Sequence, residues 1–283
     1  MKSKGKLYIC GTPIGNLEDI TFRVLKILKE VDIIAAEDTR RTSKLLNHFE
    51  INTSLTSYHE HNEQEKSDKL IKNIAEGKKI ALVSDAGMPG ISDPGNILIN
   101  KAIKNNIKII PAPGPTALIS ALVVSGCDMD KFVFEGFIPR KGQERKEFIN
   151  RVCEEKRTII FYESPYRLLN TLQELANFIK ERKAAIVREI TKVHEEKIYG
   201  SIEEIISQLK NRKIKGEIVV VLAGRKTIKV EQEGWEHLTI REHIELLMKN
   251  GYTKKKAIKK VAELRNIQKR KVYKKAIPIK GSE

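Results

Sequence analysis

Apolar residues along this chain keep two different rhythms, and their alternation outlines an α/β protein. Short apolar runs predict buried strands at Lys6–Cys10, Val31–Ala36, Lys79–Ser84 and Ile107–Pro111. Between them, apolar residues recur every three or four positions. Asp19 or Thr21 is placed to cap a helix through Val31 with Phe22, Leu25, Ile27 and Leu28 as its apolar positions, and Thr42–Phe49 reads as a short helix. Glu63–Ala75 (stopped by Gly77), Asn96–Lys104 and a small-residue helix Thr116–Val124 follow the same rule. Strands alternating with helices imply α/β layers with mostly parallel pairing.

The same two rhythms return further on. Lys131–Phe137, Thr158–Tyr162, Ala184–Arg188 and Glu217–Leu222 read as strands; Glu144–Cys153, Tyr166–Ile179 and Ser201–Leu209 read as helices. This is a second α/β domain, with a hinge near Pro111 to Val124. The expected division is 1–115 for the first domain and 116–226 for the second. A polar linker, Arg225–Trp235, then leads to a helical domain over 236–283, with helices at Thr239–Met248, after the Thr253 cap, and at about Gln268–Ile277; Asn250-Gly251 turns the chain between the first two.

Composition leaves this picture intact and adds a partner. The chain has 283 residues, 40% of them apolar, enough for real cores. The apolar run after the basic start is too short for a signal-peptide core, and no run is long enough to span a membrane. Cys10, Cys127 and Cys153 lie far apart, in no zinc or C-x-x-C spacing, as expected of reduced structural thiols in a cytoplasmic protein. The formal net charge is +16, and residues 241–283 alone carry 14 Lys or Arg against 4 Asp or Glu. A basic block of that density points to a polyanion, nucleic acid first; a merely solubilising face is the bland alternative.

Three glycine- and proline-rich loops each follow a predicted strand: Gly11-Thr12-Pro13-Ile14-Gly15-Asn16, Asp85–Gly95, and Pro111-Ala112-Pro113-Gly114-Pro115. Loops at the carboxyl ends of parallel strands are where α/β proteins bind ligands. Neither the dinucleotide nor the P-loop glycine spacing occurs, and Pro13 removes an N–H that a phosphate would use. A ligand without pyrophosphate fits better, and Asp85, ending a strand, is the expected polar contact unless it only caps a turn. Polar clusters at Glu37–Arg41, Glu163-Ser164-Pro165 and Arg188–Lys192 follow other strands and read equally as active-site mouth or as ion-paired strand ends. His59-Glu60-His61-Asn62-Glu63 matches no common zinc pattern, so no metal is expected.

With these loops in view, the chain resembles the bacterial ribosomal RNA small-subunit methyltransferase I family, within the tetrapyrrole methylase superfamily. The resemblance rests on Gly11–Ile20, Ala36–Arg40, His59–Glu63, Val83–Gly95, Pro113–Ala117, Glu135–Pro139, Phe161–Pro165 and Arg188–Lys192, in family order over nearly the whole chain. Met88 stands where a threonine is more usual. The resemblance implies two α/β domains of the tetrapyrrole methylase type with the cofactor in the cleft between them, and a homodimer. It implies methyl transfer from S-adenosyl-L-methionine to the ribose 2′-hydroxyl of a cytidine in the decoding region of 16S rRNA, free or within the 30S subunit. Carried over as cofactor neighbours are Pro13, Asp85, Ala86, Gly87, Met88, Thr116 and Ala117, with Tyr162 and Leu222 at strand ends of the second domain. Glu163 and Glu189 are candidate general bases, with Arg188 and Lys192 as assisting groups. For RNA, the expected contacts are Arg40 and the tail cations Lys254, Lys255, Lys256, Lys259, Lys260, Lys269, Arg270 and Lys271. The rivals are a methyltransferase acting on a tetrapyrrole and a non-catalytic ribosome-assembly factor; the lysine-rich tail argues against the first, the intact glycine loops against the second.

Overall fold

The computed structural model describes residues 5–225, 235, 237–249 and 252–277. These fall in two compact units, 1–225 and 226–283. Most of the expected linker and the Asn250-Gly251 turn lie outside the described residues.

The first sheet is built from β1 (Lys6–Cys10), β2 (Ile33–Ala36), β3 (Leu55–Ser57), β4 (Lys79–Val83) and β5 (Lys108–Ala112), in the order β3-β2-β4-β1-β5 with every pair parallel. Its alternating side chains feed two cores, as a sheet covered on both faces requires. Ile34, Ala36, Ala81 and Val83 pack against Val24 and Leu28 of α1 (Phe22–Glu30) and Leu46 of α2 (Thr39–His48). Ile80, Leu82 and Ala35 pack on the other face against Leu70 and Ile74 of α3 (Glu63–Ala75) and Leu98 and Ala102 of α4 (Asn96–Lys104). Thr21 caps α1 by accepting from Val24 N. Asp38 caps α2 by accepting from Arg40 N, which starts that helix three residues earlier than its apolar period suggests.

After α5 (Ala117–Val123) comes a second sheet from β6 (Phe132–Phe137), β7 (Thr158–Glu163), β8 (Lys183–Arg188), β9 (Glu196–Ser201) and β10 (Ile218–Leu222), in the order β6-β7-β10-β8-β9. Only β6 and β7 are parallel; β10 runs antiparallel to both β7 and β8, and β8 antiparallel to β9. One face is covered by α6 (Gly142–Glu154), α7 (Leu168–Ile179) and α8 (Ile202–Leu209), around Phe148, Phe161, Leu172 and Ile205. The other face packs on α5 through Leu118, Ala121 and Leu122 against Ile160, Val187 and Val219. The expected boundary after residue 115 therefore falls between the last strand of one sheet and the helix that covers the next.

In the second unit, α9 (Ile240–Lys249), α10 (Lys254–Leu264) and α11 (Lys269–Ala276) share a core of Ile244, Leu247, Ile258, Val261 and Val272. Thr253 caps α10 by accepting from Lys256 N. Trp235 stacks on His243 with ring centroids 5.1 Å apart, and the Arg265 guanidinium sits 5.0 Å over the Trp235 ring. Lys255, Lys256, Lys259, Lys269, Arg270 and Lys271 are exposed, while Lys254 and Lys260 are half-buried.

Candidate active site

The three glycine-rich loops meet because backbone groups stitch them together. Thr12 N donates to Gly87 O at 2.9 Å and Gly87 N donates back to Thr12 O at 3.1 Å, a two-way bridge between the first and second loops. Thr12 Oγ1 also donates to Ser84 O at 3.0 Å. The third loop closes on the first by glycine-to-glycine contact: a Cβ on Gly11 would lie 2.7 Å from Gly114 Cα and 2.8 Å from Met88 Sδ. Gly87 has φ +82°, a conformation that costs an ordinary side chain ~1–2 kcal/mol.

These loops and the second sheet border a cleft of about 300 Å³, within the usual range for small-molecule sites. Ile14, Ala86, Gly87, Met88, Thr116 and Ala117 line it from the loop side; Phe137, Tyr162 and Ile218 line it from the second sheet. Tyr162 meets Phe134 edge-on and Phe137 at a tilt, with ring centroids 5.0 and 5.2 Å away. Burial, reinforced by the nearby Asp93 carboxylate, pushes the Tyr162 phenol up to about 12, so it stays protonated.

Six of the expected cofactor neighbours, Ala86, Gly87, Met88, Thr116, Ala117 and Tyr162, line this one cleft. Pro13 and Asp85 instead border an adjoining recess of about 210 Å³ with Thr12, Arg41 and Lys44. There Asp85 accepts from Asp38 N at 3.0 Å and pairs with Arg41 at 3.3 Å. Leu222 is misplaced by the strand-end argument. It is fully buried and registers with Ile159, whereas Ile218, at the opposite end of β10, registers with Glu163 at the cleft. Because β10 is antiparallel to β7, its carboxyl end points away from the cleft.

The four residues expected to do the chemistry are all engaged in ion pairs. Glu163 borders the cleft, but its carboxylate is wholly buried. It pairs with Arg167 at 2.6 Å, accepts from Ser164 N at 2.7 Å and accepts from Thr171 Oγ1 at 2.8 Å. Glu189 Oε1 accepts from Lys192 Nζ at 2.9 Å and from Glu217 N at 2.8 Å. Burial would raise the Glu189 carboxyl, but those two bonds hold it below the usual range. Lys192 also bonds Glu217 at 3.0 Å, and Arg188 pairs with Glu196 at 3.0 Å. Glu163 has both carboxylate oxygens bonded and is shielded from solvent, whereas Glu189 has Oε1 bonded twice. Arg40, the expected RNA contact on the first unit, has a side chain 88% exposed and bonds its own helix cap, Asp38, at 2.8 Å.

The residue that sequence reasoning passed over is Asp93. It lies in the same loop as Asp85 and lines the cleft beside Ser92 and Ile91. Burial pushes its carboxyl up to about 6, with further push from Glu37 and Asp85 and an opposing hydrogen bond from Ser84. The Asp93-Pro94-Gly95 triplet is visible in the sequence, but a strand-end argument favours Asp85, the first carboxylate after β4. No group of His, Cys, Asp and Glu able to hold a metal occurs among the described residues, His59 to Glu63 included.

Residues 6–206 match the model of the Tetrapyrrole (Corrin/Porphyrin) Methylases. The chain belongs to this family. Within it, the methylase is 47% identical over 271 residues to "Ribosomal RNA small subunit methyltransferase I" of Halalkalibacterium halodurans, covering 95% of this chain and 94% of that one. The Bacillus subtilis protein of the same name is 46% identical over 95% of this chain and 93% of its own length. That of Thermotoga maritima is 50% identical over 222 residues, 78% of this chain and 100% of its own. At this identity and coverage the methylase is a member of that group. Solved structures share the fold at low identity: diphthine synthase (TM-score 0.60, 15% identity, 77% of this chain and 90% of that one) and uroporphyrin-III-C-methyltransferase from Thermus thermophilus (TM-score 0.56, 18% identity, 77% and 94%).

Proposed function

We propose that this methylase transfers a methyl group from S-adenosyl-L-methionine to the ribose 2′-hydroxyl of a cytidine in the decoding region of 16S rRNA, free or in the 30S subunit. One observation carries the reading. In a chain this similar to relatives named for ribosomal RNA small-subunit methylation, residues of the first two glycine loops and Thr116 and Ala117, just after the third, line one cleft of a size that suits this cofactor. The fold neighbours at 14–18% identity share architecture alone, so a tetrapyrrole substrate does not follow from them.

The residues fit the cofactor. Apolar walls from Ile14, Met88, Leu118 and Val219 suit a purine, and a side-chain-free approach at Gly87 admits close backbone contact. When bound, the cofactor supplies an electrophilic methyl group. The chain's part is alignment and water exclusion. A ribose hydroxyl is a weak nucleophile, and holding it in line with the methyl carbon is worth as much as ~7–11 kcal/mol in the best intramolecular cases. Phe137, Tyr162 and Ile91 give the cleft the low-polarity wall that such alignment uses.

The two halves of the core, 1–115 and 116–226, hold the cleft, and 236–283 grips RNA phosphates through Lys254 to Lys256, Lys259, Lys260 and Lys269 to Lys271, with Arg40 contributing from the core. Backbone recognition by a lysine-studded module suits RNA. The protein is further assigned to the cytoplasm, where ribosomes are assembled; among the described residues no helix is long and apolar enough to cross a membrane. A homodimer is supported by apolar side chains left bare on α5, Ile119 at 43% and Val123 at 63% exposed, one turn apart.

The test is incubation with labelled S-adenosylmethionine and 30S subunits from cells lacking the endogenous activity, followed by mapping. Label on a cytidine ribose is expected. Label on a base, or label only on an added tetrapyrrole, overturns the reading.

A further inference from the structure

Three carboxylates line the cleft: Asp93, Glu163 and Glu217. Two are committed elsewhere. Glu163 is wholly buried against Arg167, and Glu217 reaches out to Lys192 with 70% of its side chain exposed. Asp93 differs from both. Among the described residues no cation pairs with it, and its neighbours are the Ser84 hydroxyl, the carboxylates of Glu37 and Asp85, and Tyr162 across the cleft. The Arg41 guanidinium pairs with Asp85 instead, at 3.3 Å.

We infer that Asp93 is the general base of the methyl transfer, taking the proton of the ribose 2′-hydroxyl; this rests on the methyl-transfer reading above. The O–H bond breaks and its proton passes to an Asp93 carboxylate oxygen. The electron pair left on the ribose oxygen forms the new bond to the methyl carbon, and the sulfur–carbon bond breaks with its pair retained by the departing neutral thioether. The proton then leaves Asp93 through the cleft mouth to water. The surroundings suit the task. A half-buried carboxylate among other carboxylates and aromatic rings is more basic than an ordinary aspartate, yet still ionised at neutral pH, which is where a base works best. The Ser84 hydroxyl, at the end of β4, donates to Gly87 O at 3.3 Å, which pins the start of the loop that carries the base.

The experiment is Asp93→Asn in the full-length protein, read in three ways: single-turnover methyl transfer to 30S subunits at saturating cofactor across pH 5–8, affinity for S-adenosylmethionine by calorimetry, and thermal stability. The inference expects a rate loss on the order of 10²–10⁴-fold at neutral pH. It also expects loss of the wild-type limb that rises through about pH 6, with cofactor affinity within about threefold and stability at pH 7 equal or higher. Asp93→Glu should restore part of the rate, with the rising limb. A normal rate in Asp93→Asn overturns the inference. So does a variant whose cofactor affinity falls while its saturated rate holds, because Asp93 would then be only a counter-charge. Absence of transfer by the wild type overturns the reaction reading and this inference together, whereas wild-type transfer with an unimpaired variant overturns this inference alone.

Discussion

Arg167 Nη2 stands 2.6 Å from Glu163 Oε1, and that carboxylate is completely shielded from solvent. Arg167 Nη1 also donates to Ile138 O at 3.2 Å, and Thr171, which donates to Glu163, in turn accepts from Arg145 Nη2 at 3.0 Å. The pair thus ties the end of β7 to the start of α7 and to the β6–α6 connection, beneath the cleft.

Removing one partner of a buried pair costs more than the pair contributes, because the other charge is left behind. Glu163→Gln is therefore expected to lower stability by ~2 kcal/mol in urea unfolding, the partial exposure of Arg167 keeping the cost below that of a fully buried cation. Its folded fraction should keep a single-turnover rate near wild type. A hundredfold rate loss with unchanged stability would place Glu163 in the chemistry after all.

Gly11→Ala should be far worse than Gly126→Ala. Both glycines lie outside helices, but a Cβ at Gly11 meets Gly114 Cα at 2.7 Å, whereas one at Gly126, φ +69°, meets nothing within 4 Å. The loop separation must widen in the first case, at ~1–3 kcal/mol, and Met88 must shift in the cleft. The second case carries only the left-handed penalty of ~1 kcal/mol. Calorimetric titration with S-adenosylhomocysteine is expected to show weakened binding for Gly11→Ala alone.

The raised Asp93 carboxyl predicts a pH-dependent stability gain on its removal. Above about pH 6 the carboxylate is charged in both folded and unfolded states, and its burial destabilises the folded one. Below its unfolded value near 4 it is neutral in both, and the penalty vanishes. Asp93→Asn should therefore melt a few degrees above wild type at pH 7, a gap that narrows as pH falls from about 6 to about 4. A lower melting temperature at pH 7 would mark Asp93 as a structural anchor.

Lys255, Lys256, Lys259, Lys269, Arg270 and Lys271 are exposed on α10 and α11. Replacing all six by Ala should weaken RNA binding and flatten its salt dependence, by ~0.7–0.9 in the log–log slope for each phosphate deprived of its cation. Cofactor affinity should not change. An unaltered salt slope would remove the tail from the RNA interface.

Much of the fold was legible along the chain, and the misses have physical causes. Helices announced by caps and period, such as α1 after Thr21 and α10 after Thr253, were placed within a residue or two. The strands β3 and β9 were not foreseen. The first is a three-residue edge strand, and the second reads Glu196-Lys-Ile-Tyr-Gly-Ser with a single buried apolar residue, Ile198. Edge strands bury little and so leave a faint apolar pattern.

The sequence by itself determined the helices and all the strands but β3 and β9, where the glycine loops fall, that the tail is cationic, and which family's motifs the chain carries. Period, caps and turn residues are local properties. Only the tertiary structure decided that β10 is antiparallel, which sends Leu222 away from the cleft and brings Ile218 to it. It also decided which carboxylates meet a cation: Glu163 met Arg167, Glu189 and Glu217 shared Lys192, and Asp85 took Arg41, leaving Asp93 in the cleft without one among the described residues. The direction of a strand and the partner of a charge depend on residues far away in the chain, and a carboxylate's basicity follows from that company and its burial.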